Sequence, residues 1–343
     1  MNDPTDGSPA ERIVVLLERN DREGAVARLE EEREAPVDER KAMLRSIRTV
    51  AGDRPAVVAP LAPALAAFLR DEERAVRLTA AKLFVALAEA TPGAVVPAVS
   101  ALADRLADEG EFYYVRARAA EALGYVALEH PDAVDDPEIL ADLRIGLAFD
   151  EPEVKEKLAK ALEYVALGDP NRLRHQVSSL AEHLGDGNEL VRYHLATALV
   201  AIGCESPERL GPVRNVLVEL LEDENDHVRG RAAEALGLLA REQSGDDTPP
   251  DELSEMMNSE DERFVVERVR FALGAMGQSD TTRDVPDTVG TREGVRNTTA
   301  GAAEEITSPD GDGMCPQCGL ELPEGAPPMC PRCGTPVPDA DRI

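Results

Sequence analysis

The chain of 343 residues carries a net charge of −30, from 67 acidic and 37 basic residues. This balance argues against a protein that binds nucleic acid, because such binding neutralises phosphates with Lys and Arg. Hydrophobic residues make up 43% of the sequence, enough for a substantial apolar core, but aromatic residues are only 3% and Trp is absent. A core of Ala, Leu and Val favours closely packed helices over a β-sandwich.

The N-terminal part of the sequence lacks the patterns of membrane insertion and secretion. The longest uncharged run there, residues 55–69, contains three prolines and is shorter than the roughly 18–20 apolar residues that span a bilayer. The opening MNDPTDGSPAERIVV has no basic region ahead of an apolar one, as a signal peptide would. We therefore expect a cytoplasmic protein.

Lysine is rare among the basic residues. It occurs only at positions 41, 82, 155, 157 and 160, and the remaining bases are Arg. This acidic, Lys-poor composition resembles that of proteins from extremely halophilic archaea, and the alternative is an ordinary acidic protein. In the halophile interpretation the negative charge serves solvation, and it marks no site for a cationic ligand.

Residues 9–51 show helical patterning in the stretches IVVLLERN, AVARLEEERE and ERKAMLRSIRTVAG. They fit the repeat that follows only poorly. We expect residues 1–54 to form N-terminal capping helices or a degenerate first repeat, because the end of a stacked array presents a polar face to water.

One helix pattern recurs along residues 55–277, for example in VRARAAEALGYVA (115–127) and VRGRAAEALGLLA (228–240). Aligned on the first valine, six copies follow one another at intervals of 39, 39, 37, 37 and 37 residues, beginning at Val76, Val115, Val154, Val191, Val228 and Val265. Apolar or small residues at offsets 0, 4, 8 and 11 share one helical face. A second apolar segment precedes each copy, so the unit is helix, short turn, helix.

A hairpin of two short helices cannot cover its own apolar face, so consecutive hairpins must stack. The sequence therefore predicts an all-α solenoid of six repeats. The period and the D…VR…AA..AL pattern resemble HEAT repeats, in particular the short HEAT-like kind of phycobilisome-lyase-like proteins. The resemblance implies an armadillo-like helical array whose second helices line a concave face.

Two polar positions of the repeat have a structural interpretation. An aspartate precedes each second helix, where its carboxylate can cap free N–H groups, and a basic residue follows most of the aligned valines. In HEAT repeats the equivalent residues form a ladder between units, and those that resemble it here are Asp71, Asp108, Asp150, Asp186, Asp223, Arg77, Arg116, Lys155, Arg192 and Arg229. The alternative is a basic stripe that binds an acidic partner.

The sequence favours a non-catalytic scaffold or adaptor that binds other proteins. Partner contacts are then expected on exposed polar and aromatic positions of the second helices. The candidates are Tyr113, Tyr114, Arg118, Lys157, Tyr193, His194, His227 and Arg231. For Tyr193, His194 and His227 the alternative is an exposed polar position without a binding role.

Residues 278–313 break the pattern, since Thr, Gly, Asp and Pro dominate and large apolar residues are few. This composition predicts a flexible linker with, at most, a transient helix around TAGAAEEI. The alternative is a docking motif that folds on binding.

Residues 315–334, CPQCGLELPEGAPPMCPRCG, carry two CxxCG knuckles. Their cysteines bring four thiolates to one tetrahedral ion, so residues 314–343 are predicted to form a zinc ribbon. The predicted ligands of this single zinc ion are Cys315, Cys318, Cys330 and Cys333. A cytoplasmic location disfavours two disulfides. Four Cys ligands close the coordination sphere, so the zinc is structural.

No catalytic residue set stands out. None of the five histidines is followed by Glu, so the His-Glu ligands of the HEAT-like di-iron hydroxylase are absent, and so are the basic face and aromatics of HEAT-like DNA glycosylases. A bilin lyase or isomerase, the activity behind the family name, stays an alternative function without an identifiable bilin pocket. A nucleic-acid-associated role of the ribbon is a second alternative, disfavoured because Arg332 and Arg342 are its only bases from Met314 onward.

The zinc prediction is testable by a single substitution. We expect Cys315→Ser to lose the bound metal while the far-ultraviolet circular dichroism of the helical part stays nearly unchanged, because the ribbon is a separate module. Zinc content by atomic absorption measures the first effect. Cys204→Ser is the matched control, since this lone cysteine is outside the knuckles, and zinc loss in the control would contradict the ligand assignment.

Overall fold

The structure is a computed structural model that describes residues 8–242, 248–278 and 285–307. All regular secondary structure in these residues is helical, in agreement with the predicted all-α class. None of the described helices is long and apolar enough to cross a membrane. The chain divides into two compact units, Met1–Leu173 and Arg174–Ile343.

The first unit contains eleven α-helices among its described residues. They are α1 (Pro9–Glu18), α2 (Arg22–Glu31), α3 (Val37–Asp53), α4 (Pro55–Val58), α5 (Ala62–Leu65), α6 (Arg74–Ala90), α7 (Pro92–Val95), α8 (Val99–Ala107), α9 (Tyr113–Glu129), α10 (Pro137–Ile145) and α11 (Pro152–Gly168). Short 3-10 turns join several of them, at Glu32–Glu34, Ala59–Leu61, Ala66–Arg70, Val96–Ala98, Pro131–Val134, Gly146–Ala148 and Pro170–Arg172.

The second unit contains seven α-helices among its described residues. They are α12 (Val177–Ala181), α13 (Glu189–Glu205), α14 (Arg214–Glu219), α15 (Asp226–Glu242), α16 (Asp251–Ser259), α17 (Arg263–Ala275) and α18 (Arg292–Thr307). The 3-10 segments Pro207–Val213 and Leu220–Glu222 flank α14.

The second helices of the repeats have a fixed length of 17 residues in α3, α6, α9, α11, α13 and α15. Five of them stop at a residue that precedes a proline, and that residue has left the helical region, as at Thr91, with φ −148° and ψ 69°. A residue before proline is sterically disfavoured in the α conformation. The stops are Arg54, Thr91, His130, Asp169 and Ser206.

The first helices are shorter and are broken into α and 3-10 pieces. Residues 55–70, for example, run through α4, α5 and two 3-10 segments, with prolines at positions 55, 60 and 63. Proline lacks the N–H that would continue an α-helix and clashes with the preceding turn. Length variation between repeats therefore falls in this half of the unit.

The core lies between consecutive second helices, as the repeat pattern predicts. In the first unit α3 packs on α6, α6 on α9 and α9 on α11, and in the second unit α13 packs on α15 and α15 on α17. The aligned valines are fully buried. So are the large apolar residues eight positions later, namely Phe84, Leu123, Leu162, Leu199, Leu236 and Leu273.

Residues 8–54 hold helices α1, α2 and α3. Helix α3 packs against α6 in the manner of a second helix, and Arg40 stands 37 residues before Arg77. Helix α3 thus occupies the place of a second helix, while α2 packs on α5. Helix α1 packs on α3 and buries Ile13 and Leu17 at the end of the array.

The structure corrects the predicted flexible linker at residues 285–307. Helix α18 packs against α13, and Val289, Val295 and Ala302 are buried. This segment has few large apolar side chains, so its composition resembles a linker, but it is held by polar contacts that composition does not reveal. Residues 308–343, including the predicted zinc ribbon, lie outside the described residues.

The close approach of α9 and α11 allows a test of the packing. A Cβ added at Gly124 would stand 2.7 Å from the Cα of Ala161, a backbone atom that cannot move aside. We expect Gly124→Ala to lower the free energy of unfolding by about 1–3 kcal/mol through overpacking. This loss is expected although alanine has a higher helix propensity than glycine.

The matched control is Gly52→Ala in α3, where an added Cβ meets nothing within 4 Å. We expect this control to be neutral or to stabilise the chain by up to about 1 kcal/mol. Chemical denaturation followed by circular dichroism measures both variants, and equal effects would contradict the packing argument.

Candidate interaction surface

One face of every second helix carries the polar side chains of the repeat. Counted from the aligned valine, positions −1, +3 and +6 lie one above another on this face, because residues three and four apart are neighbours on a helix. In α15 these positions hold His227, Arg231 and Glu234. We call these three positions, on all second helices, the second-helix face.

A buried ionic cluster occupies the second-helix face of α15 and α17. The carboxylate of Glu234 accepts hydrogen bonds from Arg231 at 2.8 Å, from Arg268 at 3.0 Å and from the backbone N–H of Gly290 at 2.9 Å. All three side chains are buried. Burial alone would raise the pKa of Glu234, but Arg231 and Arg268 hold that pKa below its usual value.

Helix α18 covers this cluster. Arg231 donates to the Thr298 hydroxyl at 2.9 Å and to the Val295 carbonyl at 3.4 Å. His227 Nε2 lies 2.9 Å from the carboxylate of Glu305. Arg231 also contacts the Tyr193 hydroxyl, at 3.3 Å. A helical segment of the chain is thus bound on the second-helix face of its own second unit.

The turn that leads into α18 is shaped for this position. Gly290 has a φ of +74°, and a Cβ there would collide with the ring of Phe271. A side chain at this residue would strain the backbone and push the turn away from Glu234. The sequence signal for this contact is a single glycine within a linker-like composition.

The structure corrects the predicted exposure of several partner-binding residues. Tyr193, His194 and Arg231 are almost completely buried, and Lys157 and His227 are buried too. Tyr113, Tyr114 and Arg118 are half-buried. Sequence reasoning placed these residues on the polar face of the second helices but did not foresee that α18 covers His227 and Arg231.

The pKa of His227 is lowered by its burial, although Glu305 acts in the opposite direction. The imidazole is therefore neutral at neutral pH, and its contact with Glu305 is a hydrogen bond from Nε2–H. The pKa of Cys204 is raised to about 12 by burial, so this thiol stays protonated, in keeping with a packed residue.

The first unit contains a second cluster with the same register. Glu121 lies at position +6 of α9, and its carboxylate binds Arg118 at 2.6 Å and Lys160 at 3.4 Å. Lys157 lies 3.8 Å away. Burial alone would raise the pKa of Glu121, but Lys157, Lys160 and Arg118 hold it well below its usual range.

Aromatic side chains flank this first-unit cluster. Lys160 lies over the rings of Tyr125 and Tyr164, and the Tyr125 hydroxyl accepts its hydrogen bond at 3.1 Å. At the start of α9, Tyr113 and Tyr114 have ring centroids 4.8 Å apart. Aromatic and arginine side chains are common in surfaces that bind other proteins.

The predicted Asp–Arg ladder is present in part. Arg192 donates to the carbonyl of Asp186 in its own repeat and, through two nitrogens, to the carboxylate of Asp223 in the next. Arg229 repeats this pattern with the carbonyl of Asp223 and with Glu260. These are charge-assisted hydrogen bonds that tie neighbouring repeats together.

In the first unit the ladder departs from the predicted residues. Arg77 binds the carbonyl of Asp71, but its carboxylate partner is Glu111 and not Asp108. Asp108 stands seven residues before the aligned valine, whereas Glu111 stands four before it and can be reached. Sequence reasoning missed a further rung, Arg40 with Asp71, which the 37-residue spacing could have indicated.

Arg116, the next basic residue of the predicted ladder, does not form an ion pair with Asp150. Arg116 donates to the carbonyl of Leu106 and lies over the ring of Phe149, while Asp150 is exposed and Lys155 half-buried. The aspartates do not cap the second helices directly. Asp71, Asp108, Asp186 and Asp223 each accept from a backbone N–H two residues on, in a turn ahead of the helix.

A metal centre is not apparent in the part of the chain that the structure describes, since no group of three or more His, Cys, Asp or Glu side chains there could hold an ion. The cysteines of the predicted zinc site are outside that part.

Comparison with known proteins agrees with this architecture. Residues 177–274 match the family model for HEAT repeats, and none of the curated proteins matches the chain. A crystal structure of an engineered protein is 22% identical with a TM-score of 0.54, covering 63% of this chain and 96% of that one. A designed armadillo repeat protein is 20% identical, also with a TM-score of 0.54, covering 62% and 99%.

Another designed armadillo repeat protein, solved in complex with the peptide (KR)4, is 19% identical with a TM-score of 0.54 and the same coverage. At these identities the likeness shows the fold alone. The described residues form an all-helical repeat fold that resembles HEAT and armadillo arrays.

The cluster around Glu234 predicts a response to acid. We expect Glu234→Gln to lower the free energy of unfolding at neutral pH by about 3–5 kcal/mol, because it leaves Arg231 and Arg268 buried without their carboxylate. The pKa of Glu234 is lowered on folding. Its stabilising contribution is therefore present above the unfolded value near pH 4.5 and is lost as the pH falls through the folded value.

Chemical denaturation at pH 7 and at pH 3.5 measures this effect, and the variant is expected to lose less stability than the native chain between the two. The control is Glu305→Gln, whose carboxylate is 70% exposed and should change stability by less than about 1 kcal/mol. A Glu234→Gln variant as stable as the control would contradict the role of the cluster.

Proposed function

We propose that the protein is a non-catalytic scaffold or adaptor whose second-helix face binds segments of other proteins. The observation that supports this proposal is the position of α18. A helical segment with few large apolar residues is held on that face by Arg231, His227 and the carboxylate of Glu234. A face that binds one helix of its own chain has the shape and chemistry to bind a helix of another chain.

The comparisons support the same proposal in a general way. The similar designed armadillo repeat protein was solved with a bound peptide, so a solenoid of this kind can bind a protein segment. The peptide bound by that protein is basic. The charge of the segment that this chain binds is inferred below from this chain's own residues. Half-buried Tyr113, Tyr114 and Arg118 are the predicted partner residues that stay accessible.

The C-terminal cysteines extend the proposal. Cys315, Cys318, Cys330 and Cys333 would hold one structural zinc in a ribbon that provides a second contact with the partner. Two linked binding modules gain affinity from effective concentration. The acidic, Lys-poor composition supports a cytoplasmic protein of a halophilic archaeon, in which the surface charge maintains solubility.

The experiment that tests the proposal is affinity purification of the full chain from its organism of origin, at the salt concentration of that organism's cytoplasm. We expect a co-purifying protein, identified by mass spectrometry, whose recovery falls severalfold with Tyr114→Ala on the second-helix face. The matched control is Ile145→Ala, because Ile145 is an exposed apolar residue, 60% accessible, at the end of the first helix α10.

Partner recovery that falls with Ile145→Ala and not with Tyr114→Ala would place binding on the first helices and contradict the proposal. Absorption by bound iron or by a chromophore in the purified chain would favour the hydroxylase or lyase alternatives. A shift with DNA or RNA that weakens steeply with salt would favour a nucleic-acid role.

A further inference from the structure

Position +6 of the second-helix face carries a row of charged residues in the first unit. These residues are Arg45, Lys82, Glu121 and Lys160, which follow one another at intervals of 37, 39 and 39 residues. Because α3 packs on α6, α6 on α9 and α9 on α11, equal register places them side by side across the four helices. Arg118 and Lys157, at position +3, lie one turn away on the same face.

Positions +3 and +6 of this face in the first unit carry five basic residues and one carboxylate, that of Glu121. The single carboxylate of Glu121 binds Arg118 and Lys160, and Lys157 lies near it at longer range. Position −1 adds the carboxylates of Asp38, which pairs with Lys41, and of Glu153. Near the face on α11 are also Glu156, 2.7 Å from Lys157, and the buried Glu163. The excess of positive charge occurs in a chain whose net charge is −30.

Arg45 forms the accessible end of the row, together with Arg48, which lies three residues further along α3. Both are exposed, and neither makes an ion pair with any carboxylate in the described part of the chain. The pKa of Arg48 is lowered by partial burial and by the positive charges of Arg45 and Arg118. Arg45 and Arg48 are three residues apart on α3 and so are neighbours on its surface. An added carboxylate would relieve the repulsion between these two positive charges.

The second unit shows how a helix fits the same positions. There the carboxylate of Glu305 in α18 contacts His227, which is at position −1 of α15. The hydroxyl of Thr298 in α18 accepts a hydrogen bond from Arg231, which is at position +3. The carboxylate at position +6, Glu234, accepts from the backbone of Gly290. The first unit has the same arrangement of a buried Glu and basic residues at position +3, and no described segment of the chain covers Arg45 and Arg48.

We propose that the surface formed by Arg45, Arg48, Lys82 and Arg118 binds an acidic helical segment of another protein. This inference rests on the proposed function and adds the chemical class of the partner. Carboxylates seven residues apart on one side of a helix are about 10 Å apart, close to the roughly 8–10 Å between packed helices. They would therefore meet the cations of α3, α6 and α9 in turn. RNA is disfavoured, because it carries a phosphate on every nucleotide and the acidic chain repels this dense charge more strongly than a helix with Glu on one face only.

The test uses the full chain and a fluorescein-labelled helical peptide of about 20 residues, rich in Ala and Leu, with Glu on one face. Fluorescence anisotropy gives the dissociation constant at two salt concentrations at which the chain keeps its circular dichroism. We expect Arg45→Glu with Arg48→Glu to weaken binding about tenfold or more, since two attractive charges become repulsive. A peptide with Lys in place of Glu should bind the native chain more weakly.

The matched control is Arg19→Glu with Arg22→Glu, which makes the same change in net charge at two exposed arginines around the turn between α1 and α2. We expect less than a twofold change in this control. Equal weakening by both double variants would mean unspecific attraction and would overturn the proposal. Tighter, Arg45-dependent binding of an RNA oligonucleotide of equal charge would overturn it in favour of nucleic acid.

The two proposals can fail separately. A partner from the organism of origin that depends on Tyr114 but not on Arg45 and Arg48 would leave the scaffold function standing and remove the acidic-helix assignment. If neither set of substitutions affects any bound protein, both proposals are wrong.

Discussion

An uncovered apolar face on each second helix determines the architecture of this protein. The valine and leucine positions of α9, for example, become buried only when α6 packs on one side and α11 on the other. One hairpin alone would leave this surface in water, so stability comes from the contact between neighbours. The first hairpin has no preceding repeat to cover its apolar face. Helix α1 covers α3 instead and buries Ile13 and Leu17.

The repeat could be predicted from the sequence because its cause is periodic. Val115 and Leu123 recur at the same offset in every copy, and burial of apolar side chains at helical spacing is a local rule. The seating of α18 could not be predicted in this way. It depends on Arg231 finding the Thr298 hydroxyl 67 residues away, and neither Thr298 nor its neighbours carry the apolar signal that marks a packed helix.

On the second-helix face, too, the sequence predicts the register of a side chain but not whether another segment covers it. Sequence reasoning placed Tyr193 and Arg231 on the correct side of their helices, but the same spacing is compatible with an exposed and with a covered side chain. The ladder was predicted best where the offset from the aligned valine was regular, as for Arg192 and Asp223. It was predicted wrongly at Asp108, where two extra residues shift the acid out of reach and Glu111 takes its place.

The proline that follows five of the second helices has a consequence for how the array can change its length. From the aligned valine to this proline the distance is 16 residues in four of the six copies, at Pro92, Pro131, Pro170 and Pro207. The stretch from each of these prolines to the next valine is 21 or 23 residues. A module cut at these prolines carries its own stop signal. Whole repeats can therefore be duplicated, deleted or exchanged at this boundary while every remaining second helix keeps its register.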